Sequence, residues 1–259
     1  TDAWTFNSFR DASERYSIEG ELVTMIPSDT IPSSPNYSSL QSLFCTTSLN
    51  DGYYSLVPSQ ALLSLSASQV YCNYTTTGEV GYAPTNFTDN RSGDLRLSSV
   101  YTTRNASAGR PMQQQIVKYQ YTTNVHLWRR AMVYLHLAEA VNRAGLPEFA
   151  YAILATGVNN NVIARLQEQY PEKSAWLGQF NFPNTEYVLR TESPTAYTTV
   201  GVHSRGSGFS EYNEFYTMPE GTLQGQILAV EDMIVNEEAL ELAFEGQRFY
   251  DLMRVSLRR

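Results

Sequence analysis

Residues 241–254 read E-L-A-F-E-G-Q-R-F-Y-D-L-M-R and lie in a strongly helical stretch, residues 226–257. Val235, Ala239, Leu242, Gly246, Phe249 and Met253 recur at steps of four and three, so they share one helix face. That stripe predicts a buried rung docked on an upstream helix. Gly246 falls inside it, where glycine costs about 1 kcal/mol against alanine. A close backbone approach or a bend is expected there. Glu238, Glu241, Glu245 and Arg248 also fall on one face. Like charges at these spacings repel by roughly a few tenths of a kcal/mol per pair. Arg248 reaches Glu245 and, at most, Glu241, so a further cation is expected, with Arg129 or Arg130 as the candidate. The expected outcome is a structural ion-pair network of Arg129, Arg130, Glu238, Glu241, Glu245 and Arg248 that clamps two helices.

Working backwards, residues 126–144 predict another helix. Leu127, Ala131, Tyr134, Leu135, Ala138 and Val141 share one face, and Trp128, Met132, Leu137 and Ala144 add a second apolar side. A helix apolar on two sides sits between neighbours, with Trp128 in the core. Gly145 ends it as a left-handed cap, and Pro147 and Glu148 open the next helix. The A-G-L-P-E order resembles the turn of a tetratricopeptide repeat, with one clear copy where a self-supporting array needs about three. Residues 170–225 read as a loop-rich insertion in the helical region 124–259.

Residues 1–123 lack long helical periodicity and read as a loop-rich region with short helices and strands. Residues 21–27 predict a strand and residues 27–39 a loop. Residues 58–71 predict a helix with proline in its first turn. Residues 95–101 and 116–121 alternate like strands and are expected to pair as a hairpin across a long loop. Cys45 and Cys72 form no C-x-x-C pair, and sequence alone leaves a bridge between them open. Five N-x-S/T sequons, at Asn36, Asn73, Asn86, Asn90 and Asn105, follow from this Asn/Ser/Thr-rich composition.

The net charge of -8 disfavours a long nucleic-acid backbone or an anionic membrane surface. No apolar run approaches the roughly 20 residues of a membrane span. No H-E-x-x-H, G-x-S-x-G or phosphate-loop pattern occurs, so the chain is not expected to be an enzyme. No cofactor and no metal site are expected. Asp89, Asn90 and Asp94 lack EF-hand spacing and read as turn acids. His136 reads as a hydrogen-bonded core residue; His203, in a glycine-rich stretch, is the histidine to test as a ligand contact.

The 241–254 stretch resembles the terminal signature of the SusD/RagB family, E-x-A-F-E-G-x-R-F-x-D-L-x-R. The upstream V-E-D at Val230, Glu231 and Asp232 fits that context. Residues 134–145, Y-L-H-L-A-E-A-V-N-R-A-G, resemble the family's L-A-E-A-x-x-R-A-G repeat. Residues 201–208 (G-V-H-S-R-G-S-G) and 59–72, ending L-S-A-S-Q-V-Y-C, fit one branch. The resemblance implies a mostly α, SusD-like fold over the whole chain, with tetratricopeptide-type helical hairpins and a large loop-rich, partly β capping region. Family members are longer, with a lipidated amino-terminal cysteine and further helical repeats ahead of this region, so a carboxy-terminal portion is expected. The resemblance further implies a lipid-anchored protein exposed on a Gram-negative outer membrane, seated over a SusC-like TonB-dependent transporter. It would bind oligosaccharide, or oligopeptide in some branches, without chemical change. A glycoside hydrolase using paired carboxylates is the enzyme alternative, and a pure helical-repeat scaffold the third class. Sugars are held by aromatic platforms with a few polar groups, so Trp4, Tyr53, Tyr54, Tyr71, Tyr74, Trp176 and His203 are the ligand-binding candidates.

Overall fold

The computed structural model describes residues 22–29, 31, 33–35, 37, 43–44, 56–68, 73–74, 82–83, 94, 96–97, 101–104, 113–116, 118–119, 125–182, 201–203 and 217–259. Among them the chain is mostly helical. Strands β1 (Leu22–Ile26), β2 (Asn73–Tyr74), β3 (Tyr82–Ala83), β4 (Tyr101–Arg104), β5 (Gln113–Ile116) and β6 (Val125–Arg129) form two-stranded antiparallel pairs, β1 with β6, β2 with β3 and β4 with β5. The helices are α1 (Gln60–Ala67), α2 (Arg130–Arg143), α3 (Pro147–Tyr151), α4 (Asn160–Gln169), α5 (Ser174–Leu177), α6 (Leu223–Glu241) and α7 (Arg248–Ser256). No described helix is long and apolar enough to cross a membrane.

The expected helix at 126–144 starts later. Residues 125–129 are extended and pair with β1 in the register Met25 to His126 and Ile26 to Val125. Leu127 and Trp128 therefore point outward, 38% and 45% exposed, so Trp128 is not a core residue. The inward positions of β6 are His126 and Arg129. Helix α2 then buries Ala131, Met132, Leu135, Ala138 and Val141. It ends in a Schellman cap: Leu146 N–H donates to Val141 O and Gly145 N–H to Asn142 O, both at 3.0 Å, with Gly145 at φ +82°. Pro147 opens α3, and a π-helical turn, Ala152–Thr156, carries the chain to Gly157.

Helices α2, α3 and α6 enclose the main core of Leu135, Leu146, Phe149, Ile153, Leu154 and Ile234. Val202 joins it from the far side of the π turn. The expected insertion opens with ordered turns: a 3-10 turn at Pro171–Lys173, then α5. Phe180 and Phe182 stack at 5.9 Å and meet Phe149 edge-on. The expected 95–101 with 116–121 hairpin is displaced. The pairing is β4 with β5, Tyr101 opposite Ile116 and Arg104 opposite Gln113. Helix α1 begins two residues after Pro58, because the Ser59 hydroxyl caps it by accepting from Leu62 N–H at 3.2 Å.

The terminal helix is broken. Helix α6 stops at Glu241, and α7 starts at Arg248 after a turn in which Phe244 (φ +67°) and Gly246 (φ +79°) are left-handed. A Cβ on Gly246 would meet nothing within 4 Å, so the glycine serves the bend and not a close approach. The stripe expected on one face does not survive the bend. Leu242 is buried, but Phe249 is 70% and Met253 41% exposed. The face that α7 turns inward carries Asp251, which is fully buried.

Candidate functional site

The inner face of α6 is acidic. Glu231, Glu237, Glu238 and Glu241 are all buried there, and Glu245 adds a buried carboxylate from the following turn. Ionised carboxylates out of water need paired cations. Three sets of cations meet this row.

Arg96 supplies the first. Its Nε and Nη2 donate to Asp94 at 2.9 and 2.6 Å, and Nη1 donates to Glu241 Oε2 at 2.9 Å and to Glu237. His203 Nδ1 lies 2.6 Å from Glu237 Oε2. Burial pushes Glu237 upward, but Arg96 and then His203 outweigh it and hold the carboxyl at about 2.

Arg129 and Lys118 supply the second. Because Arg129 is the last residue of β6 and the N-cap of α2, its extended backbone (φ -139°, ψ 161°) aims it at the end of α6. Arg129 Nη1 donates to Glu241 Oε1 at 2.5 Å and Nη2 to the Glu241 carbonyl at 2.5 Å. Its Nε and Nη2 hold Glu245 at 2.9 and 2.8 Å. Lys118 Nζ donates to Glu245 Oε1 at 2.5 Å and to the Ala243 carbonyl at 2.8 Å. Tyr119 O–H donates to the Phe244 carbonyl at 3.1 Å. The bend between α6 and α7 thus has its carbonyls satisfied from β6 and the turn after β5. Burial raises Glu245, but Arg129 and Lys118 bring it down to about 2. Burial also lowers Lys118, against the pull of Glu245.

Arg254 on α7 supplies the third, donating to Asp251 at 2.8 Å, Glu139 at 3.1 Å and Glu238 at 3.3 Å. Arg259 holds Glu231 at 3.0 Å, and Arg143 pairs with Glu139 on α2.

The sequence candidates separate accordingly. Arg129, Glu241 and Glu245 come together. Arg130 opens α2 half-buried, and of the two candidate arginines it is Arg129 that pairs with those acids. Glu238 joins Arg254. Arg248 is exposed and donates to the Val235 carbonyl at 2.7 Å, so its hydrogen bond goes to backbone and not to Glu245 or Glu241. His203 is 1% exposed and belongs to the charge network, so it is not an accessible loop contact. His136 is half-buried, edge-on to Trp128 at 5.6 Å. Asp94 is committed to Arg96. Trp176 is 39% exposed and meets Phe180 edge-on at 4.9 Å. Trp4, Tyr53, Tyr54, Tyr71, Asp89, Asn90, Cys45 and Cys72 lie outside the described residues, as does the side chain of Tyr74 on β2. Sequence reasoning missed Arg96, Lys118, Glu237 and Arg254 in the network. The available signal was the surplus of acids on α6, which demanded more cations than Arg129 alone.

No family model, curated protein or solved structure matches the chain.

Proposed function

We propose that this chain is the carboxy-terminal portion of a SusD-like nutrient-binding lipoprotein, which captures oligosaccharide at the bacterial outer surface and passes it, chemically unchanged, to a SusC-like TonB-dependent transporter. One observation carries the reading: the charged letters of the terminal motif serve as a clamp. Glu241 and Glu245 are gripped by Arg129, Asp251 by Arg254, and Arg248 by the carbonyl of Val235. A glycosidase acid pair must flank a sugar in an accessible cleft. These acids are instead buried among cations, which suits a motif that fixes architecture. The helical hairpin α2–α3 and its glycine cap are further support.

Isothermal calorimetry with glycan fragments, run beside peptide pools, tests the reading. Saturable glycan binding is expected, with the bound glycan recovered intact. Trp176, the exposed aromatic among the described candidates, is the first residue to change. A platform role predicts about a tenfold loss of affinity in Trp176→Ala, a difference of roughly 1.4 kcal/mol. Released hydrolysis product would reject the reading. Peptide preference would move it to the oligopeptide branch, and absence of any affinity would leave a scaffold.

A further inference from the structure

We propose that His136, Glu238 and Asp251 form a binding site for a divalent first-row transition ion, riveting α7 to α2 and α6. The three residues come from those three helices, and one donor atom from each lies within 4.8 Å of the other two. An imidazole with two carboxylates is a mixed N/O ligand set of the kind that zinc, cobalt and manganese take. Calcium, which wants six or more oxygens, is poorly served. Tetrahedral zinc places donors about 3.4 Å apart, so side-chain rotations of roughly an ångström close the site, with water in the fourth position.

A second observation points to a missing cation. Asp251 is fully buried, and its Oδ2 has no hydrogen-bond partner, while Oδ1 accepts from Arg254. A buried carboxylate oxygen without a partner is costly. Three acids, Glu139, Glu238 and Asp251, gather around Arg254; Glu139 is also held by Arg143, whereas Glu238 and Asp251 have Arg254 alone as their salt-bridge partner among the described residues. Two buried carboxylates thus share one guanidinium, and a divalent ion beside His136 supplies the second cation. His136 is half-buried beside the exposed Trp128, so the histidine side of the site borders solvent.

The test is zinc titration of the chelator-stripped chain by calorimetry at about pH 7, in buffers of different ionisation enthalpy. One ion per chain is expected, with proton release and a rise in Tm; magnesium should produce neither. His136→Ala is expected to keep the helical circular dichroism and lose zinc affinity by about a hundredfold or more, since even outer-shell partners of a metal cost about 10- to 100-fold. Asp251→Asn provides an independent variant with the same expected loss. Absence of saturable zinc binding overturns the proposal, as does wild-type affinity in a folded His136→Ala chain.

Discussion

Arg129 holds Glu241 twice, by its side-chain carboxylate and by its backbone carbonyl, across 112 residues of sequence. The double grip matters because the carbonyl belongs to the last residue of α6. That carbonyl has no intrahelical partner once the chain bends, and the planar guanidinium fork supplies one while neutralising the acid. Arg129 thus fixes the end of α6, while Lys118 and Tyr119 hold the carbonyls of the bend that leads to α7.

Arg129→Met is therefore expected to destabilise the chain by about 3–5 kcal/mol, the range for breaking a buried pair and stranding its acid. Arg129→Lys should recover little of this, because an ammonium cannot span Glu241 and Glu245 at once. Urea unfolding midpoints check both. A lysine variant as stable as the parent would contradict the fork argument.

The two halves of the acidic row titrate in opposite directions. Glu237 and Glu245 are held at about 2 against an ordinary 4.5, so between those values the unfolded chain binds protons the folded chain does not. Their contribution is present above 4.5 and is lost as pH falls toward 2. Glu238 is raised to about 8, so its contribution is full below 4.5 and is lost as pH rises to 8. Unfolding midpoints measured with a chelator present should peak near about pH 5 and decline on both sides. Glu238→Gln should flatten the alkaline limb alone. A parent midpoint that climbs steadily to pH 8 would be incompatible with a protonated Glu238.

What the sequence made legible was local chemistry and charge deficit. The Gly145 cap and Pro147 follow from residues within one turn of each other, and the structure has them. An excess of acids on α6 asked for a cation, and Arg129 comes to it. The break at Phe244 and Gly246 was hidden, because it is held by Lys118 and Tyr119, more than a hundred residues earlier. The extended stretch 125–129 was hidden for the same reason: its partner is β1, about a hundred residues upstream. His203 read as a loop residue because Arg96, 107 residues away, is what buries it in charge. Among the described residues, long-range pairing overrode helical arithmetic each time.

The bend also separates two phenylalanines that look alike by hydropathy. Phe149 is fully buried in the main core, while Phe249 on α7 is 70% exposed. Phe149→Ala is expected to cost about 3–5 kcal/mol through lost contacts and a cavity. Phe249→Ala should stay within about 0.5 kcal/mol of the parent, as surface changes do. Chemical denaturation of the two variants decides this. A large loss at Phe249 would restore the continuous buried stripe that the periodicity suggested.

Two glycines give the sharpest contrast. Gly201 donates its N–H to the Ala155 carbonyl at 3.3 Å, and a Cβ there would lie 2.1 Å from the Leu154 carbonyl oxygen. That oxygen is backbone in the buried π turn and cannot swing aside, so Gly201→Ala must displace either the turn or the Val202–His203 segment from the core. Gly246 has open space around its Cβ position, and only its φ of +79° resists a side chain. Gly246→Ala should therefore cost about 1–2 kcal/mol, the left-handed penalty for an L-residue. Gly201→Ala should exceed that and also loosen the His203–Glu237 contact, because His203 is two residues away. Hydrogen exchange at the amides of residues 152–156 and 201–203 reads this directly: faster exchange is expected in Gly201→Ala and unchanged exchange in Gly246→Ala. Equal protection in the two variants would mean that the π turn does not press on Gly201.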